Sequence, residues 1–397
     1  MDATPRSSPL TERLIRPSRV LSHTRPVWVT ILVLSGLLNF VIYLSEVRAY
    51  LNHNDFRLYY AGAEVGLRYG WSHIHDIKLH QAAVAALLPP GPWYALLTPA
   101  PITWLVAPLT LFGYPAAYWV WVVLILAALG AAAWHARPRH LPAALYFCWW
   151  AALGPLWFSA YEGQVTILVA AALLAGWRLL DTRRDFLGGA ILAVALFKPH
   201  LVLLLPLALA VAGRFRALVA FVAVAAVAGV GMLVTLHPDG IRDYVMMLLA
   251  PQPASDTAET LRFALGGGTA ALIILTMVVV GVVVMISVHA RRTHAAWPVV
   301  AGALMGSFLL AIYWHPPDYL AVDAAAAIML AAGPREAGIL IAAAAVIVST
   351  PLSPLTSRQD SPEMIVAWLV FAILSFGFLG IRALKRPSSS GPQASIA

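Results

Sequence analysis

Charge is what this chain has least of. Only 11% of its 397 residues are charged against 61% hydrophobic, and its mean hydropathy of +0.80 leaves too little polar surface to cover a globular exterior in water. Lipid must be the main solvent. Lysine is nearly missing: the 26 basic residues include only Lys78, Lys198 and Lys385. The formal charge of +8 is therefore arginine charge, clustered between apolar runs, a pattern of loops facing anionic headgroups and not of a nucleic-acid-binding face. A single cysteine, Cys148, lies in the apolar run 145–150, which excludes an intrachain disulfide and a multi-cysteine metal site and reads as a small packed side chain. There is no Asp-x-Asp pair, no internal repeat and no alternating strand pattern.

What is present is a series of continuous apolar runs of about 20 residues, the length a helix needs to cross a hydrocarbon core of roughly 30 Å. Continuity favours helices over a barrel, so the fold class is an all-α integral membrane protein. Hydropathy places spans at 27–46, 94–112, 115–134, 141–160, 164–180, 186–212, 216–236, 262–288, 295–313, 318–333, 336–350 and 363–381, about twelve crossings, with 27–386 as one transmembrane domain. Residues 1–26 carry Arg6, Arg13, Arg16, Arg19 and Arg25, and Arg382, Lys385 and Arg386 follow the last span. Both termini are thus expected in the cytoplasm, with an uncleaved first span. One cluster disagrees: counted from the N-terminus, Arg178, Arg183 and Arg184 fall outside. A helix that enters without crossing would resolve this, either the stretch with Pro99, Pro101 and Pro108 or the segment broken at Pro199 and Pro206.

Two extracytoplasmic loops are long enough to hold structure. In 47–93, helical spacing of Phe56, Tyr59, Tyr60, Ala63 and Leu67, and again of Ile77, Val84 and Leu88, predicts two amphipathic helices at the interface. In 237–261 a short helix around Arg242 to Leu249 precedes the turn-rich PQPASD. The tail 387–397 reads as disordered.

Ionisable residues within apolar sequence are costly and tend to mark sites. Here they are Asp55 and Glu64 in the first loop, Glu162 after Tyr161, Lys198 in AVALFKPHLVLLLP, and His315, Asp318 and Asp323 in YWHPPDYLAVD. Asp55 opens a helix, so an N-cap role for Asn54 or Asp55 competes with a catalytic one; the capping-box partner is missing, since Arg57 and Leu58 stand in its place. Glu64 and Arg68, four apart, read as an exposed pair. Lys198 either snorkels to the interface or meets an anionic group beside a broken helix. His315 and Asp318 serve equally as interfacial anchors or as site residues.

The stretches DFRLYYAGAEVGLRYGWSHIHD, EGQVTILVAAALLAG, FLGGAILAVALFKPHLVLLLPLAL and YWHPPDYLAVDAAAAIML, in this order, resemble glycosyltransferase family 87, membrane mannosyltransferases that use polyprenyl-phosphate mannose. The resemblance implies a GT-C type bundle and a first loop presenting a catalytic carboxylate, which maps through DF-x-x-YY onto Asp55. It implies phosphate-contacting cations at Lys198 and His315, and it places Tyr59, Glu162, Gln164, His200 and Asp318 in the substrate-binding stretches. The departure is GPWYALLTPAP, where the family has an aromatic residue before two prolines. The implied reaction moves a hexose from a polyprenyl-phosphate donor to a lipid or glycan acceptor, with inversion, at the outer face of a bacterial plasma membrane; the lipid-linked sugar is a co-substrate, and no cofactor or metal is expected. A secondary transporter would share the broken helix and buried lysine but lacks support from any repeat. A lipid-linked oligosaccharide ligase or polymerase would need more cations in the late outer loop than Arg242 and Arg262.

Overall fold

The structure is a computed structural model describing residues 17–51, 54–87, 94–249, 261, 268–311, 314–349 and 362–384. All regular structure among them is helical. The chain runs through α1 (Pro17–Tyr50), α2 (Phe56–Tyr69), α3 (Ile77–Leu87), α4 (Pro101–Val106), α5 (Tyr114–Ala136), α6 (Ala143–Ala152), α7 (Gly154–Glu162) and α8 (Thr166–Asp181). It continues through α9 (Asp185–Leu192), α10 (Leu205–Val211), α11 (Phe215–Leu249), α12 (Thr269–Thr293), α13 (Trp297–Leu310), α14 (Tyr319–Ala332), α15 (Arg335–Ser349) and α16 (Pro362–Leu384). Prolines stand in the first turn of α4, α5, α7, α10 and α13, where the missing N–H has no intrahelical partner to lose. They cut the apolar sequence into short pieces at positions where no intrahelical hydrogen bond is lost.

Five described helices are long and apolar enough to cross a membrane, and six if α6 and α7, bent by 64° at Leu153, count as one broken span. That is fewer than the twelve spans drawn from hydropathy, because several apolar runs fold as helices of 10–17 residues. Segment 94–112 holds no helix of spanning length: the six-residue α4 runs into a 3-10 turn at Ala107–Leu111, and both pack on α2. Segment 186–212 makes two short legs, α9 with the 3-10 turn Ala193–Phe197 going in, and Pro199–Val202 with α10 coming back. Lys198, with φ −130° and ψ 79°, is the break between them.

Arg214 shows that the second leg returns to where the first began. Its guanidinium donates to the Leu180 carbonyl at 3.3 Å, to Asp185 at 2.7 Å and to the His294 carbonyl at 3.1 Å, tying the ends of α8 and α12 to the starts of α9 and α11. With 94–112 removed from the count, Arg178, Arg183 and Arg184 share this end with Arg291 and Arg292, and the disagreement over their side disappears. Arg335 lies within electrostatic reach of His140, and Arg382 of His289, so the start of α15 and the end of α16 belong here too.

The opposite end holds the first loop. Both loop helices form, but α2 does not lie half-immersed at an interface. Phe56 through Ala63 are buried on every side, because α3, α4 and the turn after it pack around α2. The second loop's helix is the end of α11, which breaks at His237 (φ 54°) just before Pro238. PQPASD, Arg262, the first 16 residues and the tail from residue 385 lie outside the described residues. At the centre of the bundle α8 packs against α5, α9 and α14, and its first turn emerges at the first-loop end.

Candidate active site

The carboxylate stretch of the first loop is fixed by aromatic residues spaced along one face of α5. Phe56 stacks on Tyr114 and Trp121, with ring centroids 6.0 and 5.8 Å apart, and meets Tyr118 edge-on at 6.1 Å. Tyr114 donates to the Asn54 side chain at 2.6 Å, Asn54 donates to the Leu51 carbonyl at 2.8 Å, and Tyr118 donates to the Ala160 and Tyr161 carbonyls. Asp55 is thereby held against the end of α7.

There the sequence Glu162-Gly163-Gln164 turns back on itself. Gly163 has φ 61° and ψ 29°, and a Cβ on it would stand 2.7 Å from the Cβ of Phe56, so conformation and space both require glycine. Trp121 locks the turn by donating to the Gly163 carbonyl at 2.7 Å. The turn directs both flanking side chains at one residue: Glu162 Oε2 accepts the Asp55 backbone N–H at 2.9 Å, and the Gln164 amide donates to Asp55 Oδ2. Tyr59, one turn into α2, donates to Gln164 Oε1 at 3.1 Å. Asp55 stands at the N-cap position of α2 but makes no capping bond and has helical φ and ψ. Its carboxylate is engaged by Gln164 instead.

A second cluster is centred on Asp318, which is fully enclosed. Lys198 Nζ lies 2.5 Å from Oδ1, His200 Nε2 lies 3.3 Å from Oδ2, and the His315 backbone N–H donates to Oδ2 at 3.1 Å. Lys198 is itself buried, so it does not snorkel; it pairs inward. The clusters are neighbours. Ser159 on α7 donates to the Pro317 carbonyl at 3.4 Å, and Glu162 is within electrostatic reach of both Asp55 and Lys198.

Asp55, Tyr59, Glu162 and Gln164 thus form one group, and Lys198, His200, His315 and Asp318 an adjoining one. Asp323, further along α14, stands apart: it is fully buried, and among the described residues neither of its oxygens has a hydrogen-bond partner. Glu64 and Arg68 make no close salt bridge, although Arg68 acts electrostatically on Glu64; its guanidinium lies over the Tyr69 ring. Two residues were missed in the sequence. Arg57 is 1% exposed, sits near the Tyr94 ring and acts electrostatically on Glu162; an arginine inside an otherwise apolar helix start was the signal. Asn54, fully buried, carried none beyond its place beside Asp55. Among the described residues no group of three or more His, Cys, Asp or Glu side chains is disposed to hold a metal.

Residues 97–316 match the profile of glycosyltransferase family 87, more than half of the 397 residues. The chain belongs to glycosyltransferase family 87. It is therefore a membrane glycosyltransferase. The matched region contains Glu162, Gln164, Lys198, His200 and His315, begins after Asp55 and Tyr59, and ends before Asp318, so the structure is what joins those three to the family region. No curated protein and no solved structure matches the chain.

Proposed function

We propose that this family 87 enzyme transfers a hexose, mannose by its family resemblance, from a polyprenyl-phosphate-linked donor to a lipid or glycan hydroxyl, with inversion. The observation that carries the reading is the meeting, at one end of an apolar bundle, of a half-buried carboxylate, Asp55, with a lysine and two histidines grouped around Asp318. A sugar on a lipid phosphate already has a good leaving group. The enzyme needs only a base for the acceptor and cations for the departing phosphate.

Asp55 takes the acceptor hydroxyl proton as its oxygen attacks the anomeric carbon; the bond from that carbon to the phosphate oxygen breaks, and polyprenyl phosphate leaves with the electron pair. Lys198 spends one N–H donor on Asp318 and retains two for a phosphate oxygen. His200 and His315 flank it through their own contacts with Asp318. No divalent metal takes part in this scheme, so chelation leaves the rate unchanged. The arginine-rich end favours the cytoplasmic side, which supports a site that faces outward, with the start of α1 and the end of α16 inside.

Membranes containing the protein, incubated with polyprenyl-phosphate mannose and candidate lipid acceptors, should yield a product heavier by one hexose. Asp55→Asn keeps shape and removes basicity, so it should lower the transfer rate roughly 10²- to 10⁴-fold with unchanged melting. Wild-type turnover in a folded Asp55→Asn protein would remove Asp55 from the mechanism.

A further inference from the structure

Asp55 is held by one oxygen only. Gln164 donates to Oδ2, the Asp55 backbone N–H is occupied by Glu162, and among the described residues Oδ1 accepts no hydrogen bond. A carboxylate with equivalent oxygens could turn about its terminal torsion, which is soft and two-fold. Here a half-turn only exchanges the two oxygens, and any orientation between loses the bond from Gln164, so one oxygen is held and the other is left to face outward.

Gln164 in turn has its orientation imposed. A primary amide can present either its oxygen or its NH2 group to a neighbour, and the choice follows from what the other end meets. Here the other end meets the Tyr59 hydroxyl, 3.1 Å from Oε1. Tyr59 is 2% exposed; burial first, and then the nearby Asp55 charge, push its phenol well above the ordinary value. It keeps its proton and acts as a donor. A donor at Oε1 turns the amide so that its NH2 group faces Asp55. The chain Tyr59 O–H to Gln164 Oε1, Gln164 N–H to Asp55 Oδ2 has one polarity.

We infer that Tyr59 and Gln164 are positioning residues and not sugar-binding ones: together they aim the free oxygen of Asp55 at the acceptor hydroxyl. The inference rests on Asp55 being the base. Three features of the fold make the arrangement rigid. Gly163 sets the turn that presents Gln164, Trp121 pins that turn, and Tyr59 projects from a helix buried on all sides. Among the described residues, the other charged and titratable groups that act on Asp55 or its neighbours here are Glu162 and Tyr161 on α7, with Arg57 and Lys198 acting on Glu162.

The test uses Gln164→Ala, Gln164→Glu and Tyr59→Phe in the full-length protein, reconstituted in lipid. Two measurements are made: steady-state kinetics over pH, and infrared titration of Asp55, read as the carboxyl signal missing from Asp55→Asn. Losing the aim of the base should lower kcat by about 10²-fold, with donor and acceptor KM within about two-fold of wild type. Losing the donor to Oδ2 should move the Asp55 titration and the acid limb of kcat upward in Gln164→Ala, and further in Gln164→Glu, where a second carboxylate faces the first. Tyr59→Phe should move them in the same direction by less, because the amide is then free to turn. A raised KM with kcat and both titrations unmoved would make these residues substrate-binding. A lowered melting temperature with unmoved titrations would make them structural, and either result overturns the inference. The infrared titration needs no substrate, so a protein that is inactive with polyprenyl-phosphate mannose yet shows these shifts would refute the donor assignment and retain the relay.

Discussion

A lysine held 2.5 Å from a fully enclosed carboxylate ties stability to whatever that lysine binds. Removing one partner of a buried pair strands the other charge, at a cost of about 3–5 kcal/mol. Lys198→Met should therefore lower both melting temperature and transfer rate, and the rate alone cannot separate the causes. Lys198→Met combined with Asp318→Asn removes both charges. This double variant should recover most of the lost melting temperature while donor KM stays raised, kcat stays low, or both. Normal kinetics in the double variant would leave Lys198 a purely structural role. The pair was not legible in the sequence because 120 positions separate its members. Each residue alone was legible, since an ionisable group in apolar sequence is conspicuous. The engagement of Asp55 by Gln164 was likewise hidden, because the capping alternative turns on local geometry that spacing does not reveal.

At the level of elements, the first loop is held down by its contact with the end of α11. Gly240 approaches so closely that a Cβ would stand 2.5 Å from the Ser72 carbonyl oxygen, and Tyr244 packs at a tilt against His75 with centroids 4.5 Å apart. Burial first, and then the neighbouring His80, lower the His75 pKa to about 3. The folded protein thus holds His75 neutral where the unfolded chain, titrating near 6.5, takes up a proton. Stability from this site is complete above about pH 6.5 and falls as pH drops toward the folded value, by about 2 kcal/mol at pH 5. His75→Phe keeps an aromatic partner for Tyr244 and removes the titration, so melting temperatures measured between pH 7.5 and 5 should decline less steeply than in wild type. Equal slopes would show that this contact does not carry the acid sensitivity. Apolar spacing identified α2 and α3 as helices, yet it did not show that α2 is enclosed, because enclosure depends on α4, which the hydropathy reading had drawn as part of a span.

For the whole molecule, the distribution of arginine predicts orientation. In a Cys148→Ala background, Ser72→Cys should react with an impermeant thiol reagent in intact cells, whereas Thr182→Cys, between Arg178 and Arg183, should react only after lysis. The reverse pattern would place the site on the cytoplasmic side and deny it a donor presented from outside. Thr182 discriminates well because the hydropathy count and the fold disagree about it: twelve full spans put it outside, and the fold puts it with Arg214 and Arg291 at the basic end.

Composition alone determined the solvent, the all-helical class and the short inventory of side chains able to do chemistry, because a lipid environment forbids unpaired backbone and penalises every charge it encloses. The resemblance carried by four ordered stretches supplied the family. The path of the chain was left to the tertiary structure: an apolar run of suitable length can cross, fold back as 186–212 does, or pack on a neighbour as 94–112 does, and hydropathy scores all three alike. The pairing of Lys198 with Asp318 and of Gln164 with Asp55 was decided there as well. Both join residues more than a hundred positions apart; the seating of the turn after α7 on the first loop brings together one pair, and the packing of the α9–α10 hairpin on α8 and α13 brings together the other.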